Sequence, residues 1–100
     1  MLWMINCRDK PGHADLREQH LPEHRRYLEG CAAQIFFSGP HLDDAGQRMV
    51  GSLFIITAPS REEAERFIHQ ETLYQHGVFA DVAITRLRKG RLLPELADLA

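Results

Sequence analysis

The stretch Met49-Val50-Gly51-Ser52-Leu53-Phe54-Ile55-Ile56-Thr57, followed by Ala58-Pro59 and then Ser60-Arg61-Glu62-Glu63, decides how this chain is built. Nine residues rich in β-branched and aromatic side chains predict a strand. Its apolar residues fall on both alternating faces, Leu53 and Ile55 on one and Phe54 and Ile56 on the other, so both sides need cover. Ser60 with Glu63 three residues on is a capping box, and it opens a helix through Ala64, Phe67 and Ile68.

Working outward, Ala33-Gln34-Ile35-Phe36-Phe37-Ser38 reads as the preceding strand, joined to the first by a turn around Asp43-Asp44-Ala45-Gly46, so the two pair as a hairpin. Gly77 breaks the chain before a last strand from Phe79 to Leu87. At the other end, residues 2 to 8 form a strand that Pro11-Gly12 terminates. Ala14 to Glu29 is a helix carrying Leu16, Leu21, Tyr27 and Leu28 among charges, with Gly30 as its cap and Pro22 kinking it or starting its second part. Arg91 to Leu99 reads as a short amphipathic helix, a surface appendage or dimer strap.

The order is β-α-β-β-α-β, an α+β chain of ferredoxin-like arrangement. Two helices cover only one sheet face, yet Leu2 and Met4 oppose Trp3, Ile5 and Cys7 just as Leu53 and Ile55 oppose their neighbours. The second face therefore predicts a homodimer built sheet against sheet, with an extended single sheet or a covering tail as the alternatives.

One hundred residues make a single domain at the small end of independent stability, with a core over about 1–88 and a tail over 89–100. Charged residues are 26% of the chain with both signs interspersed and a net charge of −2, which offers nothing to a nucleic-acid backbone. Met1 to Cys7 is too short for a signal-peptide core or a membrane span, so the expectation is a cytoplasmic protein that does not engage a membrane. Cys7 and Cys31 lack Cys-x-x-Cys spacing and read as reduced, buried thiols. No phosphate loop or nucleotide fingerprint is present, and no cofactor is expected.

Certain pieces stand together in order: Asp9-Lys10-Pro11-Gly12, Leu16-Arg17, Pro22-x-His24, Tyr27-Leu28, Ser38-Gly39-Pro40, Asp43-Asp44-x-Gly46, Gly51-Ser52-Leu53 and Gly77-Val78-Phe79. With them the chain resembles the YciI-like family from Met1 to about Arg88. The resemblance implies a dimeric α/β barrel of ferredoxin-like subunits, related in fold to muconolactone isomerases and cofactor-free monooxygenases. It also implies an acid–base pair facing a pocket, here His24 and Glu71. This chain departs from the family pattern in having Glu71 for the commoner aspartate, Thr72 for proline, Leu73 for an aromatic residue and His20 for arginine.

An imidazole beside a carboxylate is the equipment of a general acid or base near neutral pH. Ser38 would orient a polar substrate, the backbone at Gly39 would bind an oxyanion, and Arg17 would meet an acidic substrate, although an exposed ion pair is the commoner role for such an arginine. By themselves, the residues suit equally a helix histidine bonded to its neighbours and a solvated glutamate at a helix end. Tyr27 and Phe37 read as core. His20-x-x-Glu23-His24 also fits the inverted zinc-protease motif. Against it stand Pro22 between the ligands, the lack of a third ligand at an expected spacing and the small domain, so no metal site is expected. The expected function is a cofactor-independent lyase or isomerase acting on a small polar organic molecule through the His24–Glu71 pair. The alternative is a non-catalytic small-ligand binding or accessory dimer.

Overall fold

A computed structural model describes residues 1–95. Strands β1 (Leu2–Asp9), β2 (Ile35–Leu42), β3 (Met49–Thr57) and β4 (Phe79–Leu87) form one antiparallel sheet in the order β2-β3-β1-β4. Helices α1 (Ala14–Gly30), α2 (Arg61–His69) and the single turn α3 (Thr72–Gln75) complete an α+β, ferredoxin-like fold. The central pair, β1 and β3, is registered Ile5 to Phe54 and Cys7 to Ser52, so the side chains that alternate inward lie side by side under the helices. Trp3, Ile5, Cys7, Phe54 and Ile56 of the sheet pack there against Ala64, Phe67, Ile68 and Leu73.

Three sequence expectations are corrected. The second strand begins two residues later than Ala33 and runs four past Ser38, because Cys31–Gln34 form a turn and Ser38-Gly39-Pro40 stays in the sheet instead of turning. Pro40 is tolerated because β2 is an edge strand, one side of whose backbone has no ladder partner. Pro22 does not divide α1, which is continuous through it; Pro22 and Glu18 are both exposed, so water can satisfy the Glu18 carbonyl that the proline leaves unpaired. Gly30 is the last helical residue and has no positive φ, the cap falling on Cys31.

Ser60 caps α2 as its capping box predicts, its hydroxyl accepting from the Glu63 N–H at 3.2 Å. The turn before β3 is held by Asp43, whose carboxylate accepts from the N–H groups of Gln47 and Arg48, and these bonds hold the carboxyl below its usual range. Of the expected C-terminal helix, residues 91–93 are irregular, Pro94 and Glu95 begin a 3-10 turn, and residues 96–99 lie outside the described residues. Cys7 is buried, whereas Cys31 is only half-buried at the end of α1, and neither is in a disulfide.

The face of the sheet opposite the helices carries Leu2, Met4, Leu53 and Ile55, all half-buried, with Phe37 47% exposed among them. Phe37 is therefore not a core residue. A bulge between Ile35 and Phe37 shifts the register by one and turns Phe37 to the open side.

Candidate active site

Arg17, Leu21, His24 and Leu28 follow one another at spacings of four, three and four, which aligns them on one stripe of α1. That stripe faces Ser38, Gly39 and Pro40 of β2 and Met49, Ser52 and Phe54 of β3, and between them lies a cavity of about 190 Å³. Cavities of about 150 Å³ accept a benzene-sized ring, so this one has room for a single small ring. Its charged lining, Arg17 and Arg25, is cationic, and no carboxylate lines it among the described residues.

His24 is buried at the back of the cavity, its ring edge-on to Phe54. Its Nδ1 is hydrogen-bonded to Glu71 Oε1. Glu71 is not solvated at a helix end but fully buried, and it caps α3: Oε2 accepts from the Leu73 N–H at 3.0 Å and the Tyr74 N–H at 3.2 Å. Both carboxylate oxygens are thus engaged, and the carboxylate is fixed from two sides. Among the described residues the other ring nitrogen of His24, Nε2, has no hydrogen-bond partner, and it is not sealed from solvent. It is the atom available to a ligand in the cavity.

Arg17 is 3% exposed, which corrects the expectation of a surface pair. Its Nε donates to Asp9 Oδ2 at 2.7 Å, and Nη2 donates to Asp9 Oδ1 at 3.0 Å and to Ser52 Oγ at 2.8 Å. This two-pronged pairing with a buried aspartate holds the guanidinium at the cavity wall with its charge compensated. Tyr27 is half-buried, its hydroxyl donating to the Phe67 carbonyl at 2.7 Å, and burial pushes the phenol up so that it remains a donor.

Of the residues singled out from sequence, His24, Ser38, Gly39 and Arg17 all line the cavity, and Glu71 stands directly behind His24. Three were missed. Asp9 and Ser52 lie in motifs that mark the family resemblance, but nothing in their spacing shows that they converge on Arg17. Arg25 follows Leu21 by four residues, the helical repeat that would have placed it beside the stripe. The zinc-protease spacing is not realised, because His24 turns to Glu71 while His20 faces Glu23.

The same architecture occurs in known proteins. The solved structure of 5-chloro-2-hydroxyhydroquinone dehydrochlorinase (TftG) from Burkholderia phenoliruptrix AC1100, in complex with 2,5-dihydroxybenzoquinone, is similar with a TM-score of 0.86 and 31% identity over 90% of this chain and 96% of that one. PA3566 from Pseudomonas aeruginosa shares the fold at a TM-score of 0.54 and 18% identity, over 90% of this chain and 93% of its own. No curated protein sequence matches. The YCII-related domain matches residues 1–88, the whole sheet with its three helices. With that match and the likeness to the dehydrochlorinase, the chain belongs to the YCII-related domain family.

Proposed function

We propose that this protein is a cofactor-independent acid–base enzyme of the lyase or isomerase type, acting on a small, electron-rich ring held in the cavity between α1 and the β2–β3 hairpin. The observation that carries this reading is the contact of His24 Nδ1 with the buried Glu71 carboxylate, which leaves Nε2 as the free nitrogen. With Glu71 as acceptor, Nδ1 carries the proton and Nε2 presents a lone pair, the form a general base requires. Glu71 is a positioning residue that fixes this tautomer and balances the charge formed when Nε2 takes a proton. Ser38, the backbone at Gly39 and the Arg25 side chain would hold the oxygen that becomes negative.

An elimination suits these parts. On a chlorinated hydroquinone the base takes one hydroxyl proton and a proton is delivered to the chlorine-bearing carbon, giving the keto tautomer; removal of the second hydroxyl proton then forms the second C=O and expels chloride with its bonding pair. No net electrons are gained or lost. The 31% identical dehydrochlorinase gives the substrate class to try first, chlorinated hydroquinones, with chloride release as the readout.

The protein is also proposed to act as a homodimer closed through the open sheet face, supported by Leu2, Met4, Phe37, Leu53 and Ile55 standing together there. A cytoplasmic location accords with its two free thiols. No described helix is long and apolar enough to cross a membrane.

The experiment is a turnover assay on hydroxylated and chlorinated ring compounds with the wild type and His24→Gln. Turnover that disappears in His24→Gln supports the enzyme. Saturable binding without product, at any enzyme concentration, would make the protein a ligand-binding dimer instead.

A further inference from the structure

Beside the cavity stripe, α1 carries His20 and Glu23, and His76 caps the end of α3 against them. The His20 and His76 rings stack with centroids 3.6 Å apart and planes within 10° of parallel. Glu23 Oε2 is 3.6 Å from His20 Nδ1 and 3.6 Å from His76 Nε2. One ligand atom from each of the three lies within 4.8 Å of the other two. We propose that His20, Glu23 and His76 form a surface site for a divalent transition-metal ion of the zinc, nickel or copper kind, bridging α1 to α3.

The distances suit such an ion. Metal–ligand bonds of about 2.0–2.1 Å place two ligands of a tetrahedral ion roughly 3.3 Å apart, so the two 3.6 Å separations need to close by only a few tenths of an ångström. All three side chains reach solvent, at 17%, 54% and 41% exposure, so each can make that adjustment by turning a rotamer. Two imidazoles and one carboxylate select zinc, nickel or copper over calcium or magnesium, which prefer oxygen ligands throughout. The parallel rings hold their in-plane lone pairs in separate planes, so ligation also requires the stack to open as the two exposed rings turn toward the ion. Three protein ligands leave a coordination position for water or an exogenous group.

The site is distinct from the cavity, none of whose lining residues it shares. Its ligands nevertheless come from the two elements that carry the buried pair: His20 lies one turn before His24 on α1, and His76 lies five residues after Glu71. An ion held there would clamp α3 to α1 next to the His24–Glu71 contact. The His20-x-x-Glu23-His24 motif thus contributes its first two members, and the fold supplies His76 where the motif would have used His24.

The test is competition of the full-length protein with a chromophoric chelator for Zn²⁺, with ring-proton NMR during addition of paramagnetic Cu²⁺ as a second measurement. One ion per chain is expected, with affinity falling at least about tenfold in each of His20→Ala, Glu23→Gln and His76→Ala. His13→Ala and His41→Ala should match the wild type. Cu²⁺ should broaden the His20 and His76 signals before those of His13 and His41, a result that stands even if one variant fails to fold. Absence of binding, binding that survives both His20→Ala and His76→Ala, or broadening that begins at His13 or His41 would overturn the site.

Discussion

His24 and Glu71, 47 residues apart in sequence, meet in the interior with the carboxylate divided between the imidazole and the first turn of α3. One glutamate therefore does two things at once: it supplies the acceptor that the first N–H groups of a short helix need, and it sets the orientation of a histidine at the back of a cavity. Because Glu71 is completely buried, its bonds are not exchangeable for water, and a change there should be felt both in the ring and in the local backbone.

Glu71→Gln keeps the size of the side chain and its oxygen for the α3 amides but turns an NH₂ group toward Nδ1. The ring must then accept at Nδ1 and carry its proton on Nε2, the wrong tautomer for a base. We expect long-range ¹⁵N–¹H correlation spectra to show His24 switching from the Nδ1–H to the Nε2–H form, and turnover to fall about 10²–10⁴-fold. An unchanged tautomer in the variant would remove Glu71 from the mechanism.

Arg17→Met leaves Asp9, 8% exposed, without the guanidinium that neutralises it, and Ser52 without its donor. Breaking a buried ion pair in this one-sided way costs about 3–5 kcal/mol. Urea denaturation should show a loss of that size, and the paired change to apolar residues at both 9 and 17 should recover a large part of it.

Gly51→Ala places a methyl group against the Cys7 carbonyl and the His41 ring, and the first of these is backbone that cannot swing aside. A loss of about 1–3 kcal/mol in the denaturation midpoint analysis is expected. The same substitution at Gly30, where a Cβ meets nothing, should be nearly silent or slightly stabilising in the helix.

Burial, helped by the nearby Glu71 charge, pushes the Cys7 thiol up from 9.0 to about 12. Between those values the unfolded chain has released the proton that the folded chain still holds, so this group's contribution falls as pH rises from about 9 toward 12 and is flat below 9. Stability measured against pH should decline in that window, and the decline should be smaller in Cys7→Ala. At neutral pH a thiol reagent should label Cys31 first.

Ile55 lies between Met4 and Phe37 in the register of the open face. Ile55→Lys puts a charge at the middle of the proposed dimer surface while leaving the helix-covered core untouched. Sedimentation should show a dimer for the wild type and a monomer for this variant; a monomeric wild type would remove the sheet-to-sheet assembly.

Local pattern was enough for the elements. Runs apolar on both faces marked β1 and β3, the break at Gly77 marked the start of β4, the Ser60–Glu63 box marked α2, and residues 14–29 announced α1, because these patterns are written in neighbouring residues. The edge of β2 was misread at Ser38-Gly39-Pro40, since whether proline ends a strand depends on which side of it another strand lies. The turn α3 was invisible because glutamate is not a usual cap, and Glu71 serves as one only through its burial beside His24.

By itself, then, the sequence determined the order of strands and helices, the two-sided apolar sheet and a short set of polar residues at odds with a plain core. Only the tertiary structure decided that Arg17 is buried on Asp9, that His24 faces Glu71 while His20 faces His76, and that five residues of α1 and a hairpin enclose the cavity. The reason is physical: periodicity is a property of residues a few positions apart, whereas pairing of buried charges is settled by which distant segments the assembled sheet and helices bring within hydrogen-bond reach.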